Sequence, residues 1–178
     1  GIELFHTPGT DSEAFATIPI RHDRRGTFRI GTKRFREWMR RLFWTQFQKA
    51  PNSQAMQDAL GVLVGKALFD GSEIPVAVRI ADHNGSIYID LANEQWQAVE
   101  ITAADWQVVD HPPVKFIRPR GVLALPLPEK GGDVDELRPF VNVVNDADWM
   151  LIVAWIVAAY RPTGPYPVLV LHGEQGSA

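Results

Sequence analysis

The chain has 178 residues, 46% hydrophobic and 22% charged, with no cysteine and a formal net charge of −3. This length and composition suit a soluble globular protein with one sizeable core and exclude disorder, collagen and coiled coil. The missing cysteines exclude disulfides, thiolate nucleophiles, iron–sulfur clusters and cysteine zinc sites. The longest apolar run, Trp149–Tyr160, is 12 residues, short of the roughly 20 that span a bilayer. The opening Gly1-Ile2-Glu3 carries no basic leader before a hydrophobic run, so a cytoplasmic location and no membrane partner are expected.

The charge is unevenly spread. Ten of the 18 Lys and Arg residues fall between Arg21 and Lys49, against only Asp23 and Glu37, a local balance of +8 that leaves −11 for the rest. Such a division gives one surface suited to phosphates, or else an ordinary solvated helix face.

Taken in chain order, Glu3–His6, Ala14–Ile20 and Thr27–Ile30 read as short strands of a meander, separated by turn residues. From Thr32, a suitable N-cap, the period becomes helical, with Phe35, Trp38, Met39, Leu42 and Phe43 on one face and Pro51 marking the end. A second helix is expected over Ser53–Phe69, with Met56, Leu60, Leu63 and Ala67 on one stripe, so the pair forms a helical hairpin. Alternation returns in Val76–Ala81, Ser86–Leu91, Trp96–Ile101 and Trp106–Val109, and Asn84-Gly85 signals a type I′ hairpin within an antiparallel sheet.

Pro112 to Gly132 reads as a Pro/Gly-rich linker. Asp133-Val-Asp-Glu136 has the spacing of a capping box opening a short helix to about Val144. Asp146 is expected to cap a helix that is apolar nearly all round from Trp149 to Tyr160 and therefore buried on most sides. Val168–Leu171 reads as a strand of the kind buried in a parallel sheet.

Beyond that strand, Gly173-Glu-Gln-Gly-Ser-Ala178 aligns with the start of G-x-x-x-x-G-K-[ST], with Ala178 at the second glycine. Small residues after a buried strand let backbone N–H groups converge on phosphates. Ile87-Tyr-Ile-Asp-Leu91, Trp96, Val99–Thr102, Trp106, Pro112 to Arg118, Leu137–Val144, Trp149–Tyr160, Gly164-Pro-Tyr-Pro167 and His172–Ala178 together resemble the segment entering the ATPase core of helicase or primase-helicase-like ATP-binding proteins of prophages and other mobile elements.

The resemblance covers about residues 87 to 178, and the N-terminal half more loosely. It implies a chain cut at the P-loop, with Gly173, Glu174, Gln175, Gly176, Ser177 and Ala178 as a partial nucleotide site, and ATP and Mg²⁺ as cofactors of the complete parent protein only. The implied architecture is α+β: small antiparallel sheets and a helical hairpin in residues 1–111, a linker over 112–132, and an orphaned helix and strand from the start of a P-loop ATPase in 133–178. The P-loop lysine, the hydroxyl that holds Mg²⁺ and the downstream acidic strand are not in this sequence, so no catalysis is carried over.

Other chemistry has less behind it. His6, His22, His83, His111 and His172 are widely spread with no H-x-x-x-H pair, so no metal site is expected. Asp90 with Glu94 resembles the carboxylates of primase-type metal sites, but a ligand at i+2 and a suitable His are lacking, and a solvated or turn-capping role fits better. No G-x-S-x-G elbow anchors a hydrolase triad. Most of the six tryptophans suit core packing.

On the first helix, Lys33, Arg34, Arg36, Arg40, Arg41 and Trp44 occupy the arc opposite the apolar face. Guanidinium groups with an indole among them suit a nucleic acid, taking phosphates and stacking on an unpaired base. Alternatively, Trp44 packs on another element or on Arg40 or Arg41 as a cation–π pair. The expected role is nucleic-acid engagement by the accessory region of a helicase-like ATPase. The competing expectation is a protein-interaction or assembly module regulating that ATPase, with the rest of the ATPase or another copy of the chain as partner.

Overall fold

The computed structural model describes residues 1–21, 24–143 and 145–171 and shows a mixed α+β protein. Strands β1 (Glu3–His6), β2 (Ala14–Arg21) and β3 (Arg24–Arg29) form the expected antiparallel meander, with Phe5 opposite Phe15 and Thr17 opposite Thr27. The two-residue strand β4 (Ser72–Glu73) adds in parallel to the outer side of β1, giving the order β3-β2-β1-β4.

Alternation along β2 divides its residues between two covered faces. Ala14, Ala16 and Ile18 join Phe35, Met56, Leu60 and Ala67 in the core beneath helices α1 (Lys33–Phe47) and α2 (Ser53–Phe69). Phe5 and Phe15 stack with ring centres 5.7 Å apart. Thr17 and Thr27, both buried, share a hydroxyl hydrogen bond of 3.1 Å. Helix α2 has the expected bounds; Asn52 caps it by accepting from the amide of Ala55 at 2.7 Å. Gly71 then turns the chain into β4 where nothing larger fits, since a Cβ there would lie 2.4 Å from the Ala67 carbonyl oxygen and 2.9 Å from Phe5 Cα.

The second half holds a four-stranded antiparallel sheet in the order β6-β7-β8-β9, from β6 (Ile80–His83), β7 (Ser86–Asp90), β8 (Ala98–Ile101) and β9 (Trp106–Val109). Asn84 and Gly85 take φ values of 50° and 82°, the conformation their hairpin requires. The alternating run Val76–Ala81 is two strands rather than one. Its first part, β5 (Val76–Ala77), leaves the sheet and pairs in parallel with β10 (Lys115–Phe116).

Residues 114–130 are more engaged than linker chemistry suggests. Phe116 is buried with Tyr88 and Ala98, and Val114 packs against them. Further on, Leu123 accepts from the Arg79 guanidinium, the Leu125 amide donates to Leu91, and Lys130 pairs with Asp105 at 2.8 Å. These bonds tie the segment to the sheet that precedes it.

The C-terminal elements depart further from expectation. Val134–Phe140 is a 3-10 helix, and the Asp133 carboxylate accepts from the amide of Asp135, whereas the Glu136 amide donates to the Asp133 backbone carbonyl. Helix α3 (Asp146–Ala159) is capped by Asn145, which accepts from the Asp148 amide at 2.9 Å; Asp146 is instead engaged by Arg138. Only Trp149 and Ile152 of α3 are buried, whereas Met150, Leu151 and Val157 are exposed, so the expectation of burial on most sides is not met. No strand forms at Val168–Leu171, because no described segment lies alongside to complete its ladder. Among the described residues no helix is long and apolar enough to cross a membrane.

Candidate nucleic-acid interface

The orientation of α1 follows from two anchors. Phe35 is fully buried beneath the helix, and the indole N–H of Trp38 donates to the Pro19 carbonyl at 3.1 Å. With that face fixed on the sheet, the opposite arc carries the basic residues outward. The predicted apolar face is docked at its start but not at Leu42, which is half exposed, as is Phe47 beyond that face, because α1 runs on past the sheet that covers its start.

Within the +8 segment, the arginines of β3 and those of α1 differ. Those of β3 are engaged by the fold itself: Arg24 donates to the Glu94 carbonyl, Arg25 to the carbonyls of Gly1 and Thr17, and Arg29 pairs with Glu13 at 2.8 Å. On α1, Lys33 lies 3.9 Å from Glu37 in an exposed i,i+4 pair, worth about 0.3–0.5 kcal/mol at most. The Arg34 guanidinium lies over the Phe28 ring, 5.5 Å from its centre. The side chains of Arg36, Arg40 and Arg41 form no ion pair or hydrogen bond among the described residues, and the Nε of Arg36 is buried without an acceptor. Trp44 is 54% exposed and has no ring or cation–π partner among the described residues.

Arg36 and Arg40 also line a cavity of about 220 Å³ whose other wall is the start of α2: Pro51, Asn52, Ser53, Met56, Gln57 and Leu60. Sequence reasoning found the arginines by their periodicity but not Asn52, Ser53 and Gln57. The readable signal was Asn52 ahead of a helix, which marks an N-cap without saying which side chains stand opposite it.

A second cavity, of about 210 Å³, lies where β1–β3 meet β10 and is lined in part by Thr17, Thr27, Asp110, His111 and Lys115. Its cations are already engaged, Lys115 by Glu3 at 2.7 Å and Arg25 by backbone carbonyls. Beside it, Asp90 is 1% exposed and receives two bonds from Arg118, at 2.8 and 2.6 Å, and one from the Ala92 amide. The turn-capping expectation for Asp90 describes one of these bonds; the solvated one does not hold, because Arg118 supplies the counter-charge inside. Arg118 also lies 3.8 Å from the ring centre of Trp96, which packs on Gly26 of β3 and edge-on to Phe28. This cluster joins the two sheets.

Glu94 is exposed, and no group of three or more His, Asp or Glu side chains able to hold a metal ion occurs among the described residues. Gly173, Glu174, Gln175, Gly176, Ser177 and Ala178 lie outside the described residues. Comparisons with protein-family models, with curated proteins and with solved structures find no match.

Proposed function

We propose that this chain engages single-stranded nucleic acid through α1, as the accessory region of a helicase-like P-loop ATPase of a mobile element. The observation that carries the reading is that the guanidinium groups of Arg36, Arg40 and Arg41 have no partner among the described residues while Trp44 stands half exposed among them. Each arginine takes a phosphate, and the indole stacks on an unpaired base for about 1–3 kcal/mol. ATP and Mg²⁺ belong to the complete ATPase.

Three phosphate contacts on a single strand give a slope of about −2 in log K against log salt, so affinity falls roughly 20-fold between 50 and 200 mM. Anisotropy of a labelled oligonucleotide, read together with tryptophan fluorescence, measures this. Trp44→Ala should weaken binding about 5- to 150-fold with stability unchanged to within about 0.5 kcal/mol. Absence of binding at low salt, or binding indifferent to Arg40→Glu with Arg41→Glu, sinks the reading.

A second reading, an assembly module, is favoured by a different surface. Met150, Leu151, Val157, Tyr160, Val168, Val170 and Leu171 are all exposed, an apolar area of the kind that marks a protein interface. Contact through this surface is largely insensitive to salt, and light scattering over a concentration series reads it directly.

A further inference from the structure

We propose that Phe47 is a second stacking platform beside Trp44, so that the end of α1 holds two neighbouring unpaired bases of one strand with the phosphate between them on Arg40. The inference rests on the nucleic-acid reading above and adds to it how many bases are held, and by which rings.

Trp44 stands apart from the other tryptophans. Trp38, Trp149 and Trp155 donate their indole N–H groups to acceptors of the fold, and Trp96 and Trp106 lie under Arg118 and Lys130. Trp44 does neither among the described residues, and more than half of its surface faces solvent. Phe47, three residues on, is 51% exposed. Its one ring partner among the described residues is Phe43, with centres 4.6 Å apart and planes tilted by 41°. Phe43 is itself partly buried. It therefore holds the Phe47 ring in place before a base arrives, which removes part of the ordering cost of stacking.

The spacing suits one strand. As i,i+3 neighbours on a helix, Trp44 and Phe47 hold their Cβ atoms about 5–6 Å apart. At 100° per residue, Arg40 falls between them on the arc, about 20° from Phe47 and about 40° from Trp44. Its guanidinium has no partner among the described residues. Ring, cation and ring thus repeat the order of base, phosphate and base along a single strand.

Charge favours the same occupant. Residues 38–57 contain Arg40, Arg41 and Lys49 and no Asp or Glu. Asp58, just beyond, accepts from the side-chain amide of Gln54 at 2.8 Å. A duplex keeps its base faces stacked on one another and offers these rings nothing without unstacking. An anionic lipid surface takes the apolar face of an amphipathic helix, and that face of α1 is spent on the sheet at Phe35 and Trp38.

The test measures the affinity of the full chain, over a salt series, for a labelled single-stranded oligonucleotide, for the same strand in a duplex, and for vesicles of phosphatidylserine and phosphatidylcholine. Phe47→Leu keeps an apolar side chain but no ring. It should weaken single-strand binding about fivefold or more without changing the slope of log affinity against log salt. Phe47→Tyr puts a ring back and should rescue the affinity to within about twofold of the parent chain. Arg40→Gln should instead make the slope shallower by about 0.7. Phe69→Leu alters an 87% exposed ring at the end of α2, away from the basic arc, and should leave the affinity within about twofold.

The second platform is overturned by equal affinities in Phe47→Leu and Phe69→Leu, by a Phe47→Tyr variant as weak as Phe47→Leu, or by a duplex bound as tightly as the single strand. Single-strand binding that still responds to Trp44→Ala then leaves the nucleic-acid reading standing. No oligonucleotide binding at low salt, whether or not the vesicles bind, overturns both.

Discussion

Replacing Arg118 by methionine should be among the most damaging single changes available to this chain. The side chains of Arg118 and Asp90 are 10% and 2% exposed. Arg118 gives Asp90 two hydrogen bonds and donates a third, at 2.6 Å, to the Asn93 carbonyl. Methionine fills much of the volume but leaves the Asp90 carboxylate buried with the Ala92 amide as its only donor among the described residues. Removing one partner of a buried ion pair costs about 3–5 kcal/mol, and loss of the guanidinium over Trp96 adds up to about 1 kcal/mol. A total near 4 kcal/mol is a large share of the 5–15 kcal/mol typical of a domain. With a urea m-value of about 2 kcal/mol/M, the unfolding midpoint should fall by about 2 M.

The informative control is the double variant Arg118→Met with Asp90→Leu. Exchange of a buried pair for apolar residues of similar size is often neutral or stabilising, so the double variant should recover most of the loss and lie within about 2 kcal/mol of the parent chain. Urea unfolding followed by tryptophan fluorescence and by circular dichroism supplies the numbers for a double-mutant cycle. A cost below about 1 kcal/mol for Arg118→Met, or a double variant as unstable as the sum of the two singles, would refute the assignment of a desolvated, mutually dependent pair.

Truncation after Gly132 should leave a cooperatively unfolding fragment, whereas truncation after His111 should not, because it removes Phe116 and Arg118 and leaves Asp90 unpaired; thermal unfolding by circular dichroism tells them apart. Gly71→Ala should cost more than Gly26→Ala, by about 1–3 kcal/mol, since the added methyl meets backbone atoms at Gly71 and the movable side chains of Ile20 and Trp96 at Gly26. Tyr88 and Glu100 should shape the pH dependence of stability. The hydrogen bond from the Tyr88 phenol, and then that from the Gln107 amide, hold the Glu100 carboxyl below its ordinary value; its contribution is therefore present above the unfolded carboxyl value and lost as pH falls through the lowered one. The same bond to Glu100, followed by burial, raises Tyr88 above 10.0, so its contribution is complete below 10.0 and lost as pH rises through the raised value. Tyr88→Phe should flatten both limbs of a stability–pH curve from urea unfolding, and an unchanged acid limb would count against the bond.

Elements whose signals lie within a few residues were legible in the chain itself. Asn84-Gly85 dictates its hairpin because only such residues enter positive φ cheaply. The stripe Met56, Leu60, Ala67 sets α2 and the face it buries, and the basic arc of α1 follows from the same 3.6-residue period. Pairings across long stretches of chain were decided only by tertiary structure, because their stability comes from burial that no local window contains. Val76–Ala77 joins Lys115–Phe116 instead of continuing into Ile80, Arg118 reaches back 28 residues to make a buried Asp90 tolerable, and Trp96 takes φ 61° where it packs on Gly26. In the candidate site the division is the same. Periodicity placed the arginines on one face, but the packing of α1 beside α2 decided that Arg36 and Arg40 share a cavity with Asn52 and Ser53, while the arginines of β3 are consumed by carbonyls and a carboxylate of the fold.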